Sequence, residues 1–194
     1  MTIAVAGLGY VGMSIAVLLA QHNEVVALDV NATRVAQVNA RHSPIEDAEI
    51  SKWLAEQSLN LRATSDAAEA LTGAEFVIVA TPTNYDARSN RFDTSSVETV
   101  IRQARQYAPE ATIVVKSTVP VGFVERMRAE TGYDGILFSP EFLREGRALY
   151  DNLYPSRIVV GDHGPAAKRL AGLLTEGAIR KDMPILFTGP VEAE

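Results

Sequence analysis

Gly7-Leu8-Gly9-Tyr10-Val11-Gly12 places three glycines where a chain must turn sharply and let another molecule approach its backbone. The chemistry that fits is the binding of a pyrophosphate. Gly7 allows the tight turn, Gly9 admits the phosphates, and Gly12 lets the following helix pack closely on the preceding strand. Free N–H groups and the positive dipole end of that helix hold negative charge without any lysine. Tyr10 and Val11 stand in the same turn. Asp29 follows Gly7 by 22 positions (29 − 7) and ends an apolar run. A carboxylate there accepts hydrogen bonds from ribose hydroxyls and repels a 2′-phosphate, so NAD is expected rather than NADP. Arg34 qualifies this, because an arginine close to the acid accommodates that phosphate; it is either such a partner or a solvated helix residue.

Further polar groups stand where apolar runs end. Ala80-Thr81-Pro82-Thr83 offers the Thr83 hydroxyl, either to a ligand crevice or to local backbone. Lys116-Ser117-Thr118-Val119-Pro120-Val121-Gly122 brings three polar side chains after a fully apolar run. Lys116 is either functional or a lysine that snorkels from a sheet end; Thr118 is either functional or the cap of the next helix. In Ser139-Pro140-Glu141-Phe142-Leu143-Arg144-Glu145-Gly146, Glu141 and Glu145 are four apart, so a helix would present both on one face. They are either a reactive pair or a solvated acidic face. His22, His42 and His163 are scattered, without metal-ligand spacing, and are expected at the surface or in loops with no metal bound.

These residues need a frame that gathers strand ends. Apolar, β-branched runs at 2–6, 24–28, 59–63, 75–80, 111–116, 135–138, 157–160 and 184–187 alternate with helical patterns at 11–21, 32–40, 47–57, 95–107, 122–131 and 165–176. Most runs lack a polar alternation, as expected of parallel strands buried on both faces. The pattern predicts an α/β fold, a doubly wound Rossmann-type sheet, mostly parallel, with helices on both faces. Ligands of such sheets lie beyond the carboxyl ends of the strands, where strand order reverses. Residues 1–194 read as one dinucleotide-binding domain. The connection 81–94 is long, carries Pro82, Asn84, Asp86, Ser89, Asn90 and Asp93, and shows no periodicity, so it is expected to be irregular.

Composition excludes other classes. The net charge of −6 disfavours nucleic acid as a partner. No apolar run approaches the ~20 residues of a membrane span, and the first residues read as a strand rather than a signal peptide. The absence of cysteine removes disulfides, thiolate metal sites and a thiol nucleophile from these 194 residues. A cytoplasmic location is expected.

The glycine turn, the Thr83 segment, the Lys116–Gly122 segment and the Ser139–Gly146 segment occur in the order and spacing of the nucleotide-sugar 6-dehydrogenases, which the chain resembles throughout its length. Ala148-Leu149-Tyr150-Asp151-Asn152-Leu153-Tyr154-Pro155-Ser156-Arg157 is similar to the UDP-glucose branch. The resemblance implies two successive oxidations of a sugar 6-hydroxyl by NAD, with UDP-glucose as substrate, and a homodimeric parent protein. It implies that Val11, Asp29, Arg34, Thr83, Thr118 and Glu145 line the NAD site. Glu141, Phe142, Leu143, Arg144 and Glu145 would border the sugar. Thr118, Glu141 and Glu145 would stand near the reacting carbon or its water, where proton removal and thioester hydrolysis need a base. The family's nucleophilic cysteine belongs to a later segment, after a helix on which the dimer forms. The chain ends where another helix would start, so it is expected to be cut from a longer protein and unable to complete turnover alone. Two alternatives stay open: the cofactor domain of another nucleotide-sugar dehydrogenase, and a free-standing dinucleotide-binding module without catalysis.

Overall fold

The structure, a computed structural model, describes residues 1–86 and 91–194, with the backbone alone for Tyr85, Asp86 and Arg91. The chain opens with β1 (Thr2–Ala6), α1 (Tyr10–Ala20), β2 (Glu24–Leu28), α2 (Ala32–Asn39), α3 (Ala48–Glu56) and β3 (Leu61–Thr64). It continues through α4 (Ala67–Leu71), β4 (Phe76–Val79), β5 (Asn84–Asp86), β6 (Arg91–Asp93), α5 (Ser95–Tyr107) and β7 (Thr112–Val115). Then come α6 (Phe123–Thr131), β8 (Ile136–Phe138), α7 (Ala148–Leu153), β9 (Ile158–Val160), α8 (Pro165–Gly177), β10 (Ile185–Phe187) and α9 (Pro190–Ala193).

Six strands form one parallel sheet in the order β3-β2-β1-β4-β7-β8. Strand order reverses between β1 and β4, so a crevice opens beyond their carboxyl ends. β9 and β10 make a separate parallel pair. Alternation along β1 sets the two layers: Ile3 and Val5 join α1, α3, α7 and α8 in one core, while Ala4 and Ala6 face α4, α5 and α6 in the other. Gly12 to Ala20 are all buried, so α1 is covered on every side, as expected of a helix hydrophobic all round. Asp47 caps α3 by accepting from Glu49 N (3.0 Å) and Ile50 N (3.1 Å).

Two expectations are corrected here. Within 81–94, residues 84–86 and 91–93 are not irregular: β5 and β6 pair antiparallel, with Asn84 opposite Asp93 and Tyr85 opposite Phe92. Each strand shows polar–aromatic–polar alternation for three residues, too short a run to register as a period. Ser89 and Asn90 fall outside the described residues. Glu141 and Glu145 are not on a helix; residues 139–147 are irregular and α7 begins at Ala148. Two charges four apart are no substitute for an apolar stripe, and the segment is held by outside contacts instead. No helix among the described residues is long and apolar enough to cross a membrane.

Candidate functional site

The glycine turn is built by sterics. Gly7 has φ +97°, and a Cβ on it would lie 2.5 Å from the Ala80 carbonyl oxygen on β4's far end. A Cβ on Gly12 would lie 1.7 Å from the Gly7 carbonyl oxygen, so the start of α1 rests directly on the turn. Nothing lies within 4 Å of a Cβ placed on Gly9. That open space sits at the N-cap of α1, where no side chain caps the helix and no acid occupies the first turn. The amide end of an eleven-residue helix is therefore free to take an anion.

Asp29 closes the turn from β2. One carboxylate oxygen accepts from Leu8 N at 2.7 Å and the other from Asn31 N at 2.8 Å. Asn31, not Asp29, caps α2, by accepting from Thr33 N and Arg34 N. Asp29 is buried, yet its carboxylate borders a cleft of about 550 Å³ that runs from Gly7 and Arg34 to Thr81, Pro82 and Ser96. The Arg34 guanidinium stands 3.8 Å from the carboxylate, half in solvent. The cleft's far wall escaped the sequence reading. Ser96 Oγ donates to the Pro82 carbonyl (2.8 Å) and Ser117 Oγ to the Thr81 carbonyl (2.7 Å), fixing the strand end that carries Thr83. Thr83 itself stands beyond the cleft lining, partly buried. These residues fit a dinucleotide: an open glycine, an uncapped helix and a carboxylate along one crevice.

A second cavity, about 350 Å³, lies beyond β7 and β8, lined by Lys116, Glu141, Phe142, Leu143, Arg144 and Tyr150, among others. Arg144 is paired with Asp151, whose carboxylate accepts from its backbone N (2.9 Å), Nε (3.1 Å) and a terminal nitrogen (2.5 Å). The Arg144 hydrogen bonds hold the Asp151 carboxyl below its ordinary range. Glu141 is half-buried, and burial raises its carboxyl, an effect Lys116 opposes. Glu145 and Thr118 are exposed and line neither the cleft nor this cavity. Thr118 does not cap α6, whose N-cap is Gly122; the Glu194 carboxylate accepts there from Gly122 N (2.6 Å) and Val124 N (2.7 Å).

Lys116 does not snorkel. It is 5% exposed, and its ammonium donates to the Ser139 carbonyl at 2.9 Å. Burial lowers its pKa to about 8, with Glu141 acting the other way. A base whose folded pKa is depressed binds fewer protons folded than unfolded between about pH 8 and 10.5, so its contribution to stability rises with pH across that window. Urea titrations should show wild-type stability, relative to Lys116→Met, increasing from pH 8 to pH 10. A flat difference would mean that the ammonium is not held out of water.

Residues 1–176 match the model of the UDP-glucose/GDP-mannose dehydrogenase family, NAD binding domain. The chain is 52% identical, over its whole length and 51% of the relative's, to UDP-glucose 6-dehydrogenase of Streptococcus pneumoniae. It is 32% identical, over its whole length and 48% of the relative's, to GDP-mannose 6-dehydrogenase of Azotobacter vinelandii. The structure of a UDP-glucose dehydrogenase from Pyrobaculum islandicum superposes with a TM-score of 0.86 at 31% identity, over 99% of this chain and 47% of that one. The chain thus spans about half the length of the relatives it matches.

Proposed function

Since this chain belongs to the UDP-glucose/GDP-mannose dehydrogenase family and is its NAD-binding domain, we propose that it is the cofactor part of a UDP-glucose 6-dehydrogenase. The observation that carries the choice of sugar is the identity with the Streptococcus pneumoniae enzyme. The reaction turns the primary alcohol of UDP-glucose into the carboxylate of UDP-glucuronate, consuming two NAD⁺ and one water and releasing two NADH and three protons.

When bound, NAD⁺ supplies the hydride acceptor. Gly7, Gly9, Tyr10, Val11 and Gly12 receive the pyrophosphate, and Asp29 with Arg34 receives the adenosine ribose. The family resemblance assigns Thr83, Thr118 and Glu145 to the nicotinamide side, outside the lining of either cavity. Glu141, Phe142, Leu143 and Arg144 border the sugar. Of the two glutamates, Glu141 is better placed to take the hydroxyl proton. It lines the cavity, and its raised pKa brings it toward the range in which a base works. No cysteine occurs among the 194 residues, so a thiol nucleophile has to come from outside them. The resemblance further supports a cytoplasmic, homodimeric parent protein.

Calorimetric titration of the chain with NAD⁺, then NADP⁺, tests this reading. NAD⁺ is expected to bind, with NADP⁺ much weaker, and UDP-glucose with NAD⁺ is expected to yield no NADH. A folded chain that binds neither nucleotide would overturn the reading. UDP-glucuronate made by the chain alone would remove the need for an outside thiol.

A further inference from the structure

Among the described residues Lys116 is the only buried cation. A buried ammonium is expensive, and an apolar side chain of similar volume would stabilise the fold at least as well. Its contacts point elsewhere than stability. The three acceptors around Nζ are the Ser139 carbonyl (2.9 Å), Ser139 Oγ (3.3 Å) and the Pro140 carbonyl (3.4 Å). All belong to the two residues that precede Glu141. Ser139 Oγ passes its own proton to the Val159 carbonyl (2.8 Å), tying the same turn to β9. Ser139 N completes the clamp by donating to the Val115 carbonyl at 3.0 Å.

Carbonyl and hydroxyl oxygens satisfy the three N–H groups but leave the positive charge without a counter-ion. Glu141 lines the same cavity and follows directly on the Pro140 carbonyl that Nζ contacts, so it is the carboxyl placed to act on that charge. The other charged groups lining the cavity are Arg144, paired with Asp151, and Arg157. α1, β9 and α8 present Ile15, Leu18, Val159 and Leu174. Arg157 lies over the Phe142 ring, and Tyr150 and Tyr154 stack on one another.

We propose that Lys116 is a positioning residue of the reaction site, clamping the backbone of Ser139 and Pro140 and supplying the counter-charge that keeps Glu141 an anion. The inference rests on the reading of Glu141 as the proton acceptor. It implies a working window bounded below by Glu141 and above by Lys116, because loss of either charge releases the other.

The test is a carboxyl-carbon and lysine-nitrogen NMR titration of this chain, with Glu141 assigned through Glu141→Gln. In the wild type the Lys116 Nζ resonance is expected to shift at the Glu141 midpoint, and that inflection should vanish in Glu141→Gln. In Lys116→Met the Glu141 midpoint should rise by about one unit, as for a carboxyl deprived of a nearby opposite charge. An unchanged midpoint in a folded Lys116→Met, or a Lys116 resonance blind to Glu141 in the wild type, would overturn the proposal. If Lys116→Met does not fold, the wild-type inflection decides. NAD⁺ calorimetry on the same sample is independent of both, so failure of the functional reading is seen separately.

Discussion

Gly12→Ala is expected to lower the melting temperature by roughly 6–12 °C and abolish NAD⁺ binding, whereas Gly9→Val should abolish binding with the fold intact. The difference lies in what each new side chain meets. On Gly12 the Cβ falls 1.7 Å from the Gly7 carbonyl oxygen and 2.9 Å from its carbon. Both are backbone atoms of a turn already committed to φ +97° and pressed against Ala80, so no rotamer change relieves the overlap. The start of α1 must lift. Overpacking of this kind costs about 3 kcal/mol at the upper end of its usual range, and each kcal/mol moves a domain of this size by about 2–4 °C. Gly9 is different: its φ of −81° suits any residue, and its Cβ would enter open space. In the proposed reading that space receives the pyrophosphate. Valine there should weaken NAD⁺ at least a hundredfold, about 2.7 kcal/mol, while thermal denaturation stays within about 2 °C of wild type. Equal melting losses for both variants would show that Gly9 is structural. Full NAD⁺ affinity in Gly9→Val would place the phosphates elsewhere.

Features carried by a few neighbouring residues were legible in the sequence. β1, β2 and α5 run over the expected residues because a buried parallel strand is an apolar block, and α5 keeps its stripe of Val97, Val100, Ile101 and Ala104 for several turns. The glycine turn and the acid that closes it were legible for the same reason, since Gly7 to Asp29 spans 23 consecutive positions. Short elements were not. α4 is five residues long, and β5 and β6 have three each, so neither period completes. α7 carried its stop signal in Pro155, but its start lies inside a segment whose charges dominate.

The part of the site that escaped reading depends on contacts between distant segments. Lys116 looks like a snorkelling lysine until β8 is laid beside β7, which brings Ser139 and Pro140 over its ammonium across 23 and 24 positions of sequence. The same alignment explains why Glu141 and Glu145 do not share a helix face. The segment 139–144 is strapped to Lys116 at its start, through Ser139 and Pro140, and to Asp151 at its end, through Arg144. Those two straps set a half-buried Glu141 apart from an exposed Glu145, a distinction their spacing does not contain.

Asp29→Ala should show two losses and one gain, because the carboxylate accepts from Leu8 N and Asn31 N, faces Arg34 and, in the proposed reading, holds the ribose. Leu8 N, buried in the glycine turn, donates to it at 2.7 Å, and removing the acceptor leaves that N–H unpaired at a cost of about 1–3 kcal/mol. The expected melting loss is therefore about 2–12 °C. The ribose hydroxyls lose their acceptor as well, so NAD⁺ affinity should fall by at least tenfold, about 1.4 kcal/mol. NADP⁺ should move the other way. Its 2′-phosphate no longer meets a carboxylate, and Arg34, now 3.8 Å from Asp29 and partly in solvent, becomes free to pair with it. The ratio of NAD⁺ to NADP⁺ affinity should shrink by about a hundredfold, and adding Arg34→Ala should undo the NADP⁺ gain. Calorimetry of the three proteins with both nucleotides reads every arm. If NADP⁺ stays as weak with Asp29→Ala as with wild type, the carboxylate is a fold element that braces the turn, and cofactor choice is made by other residues of the cleft.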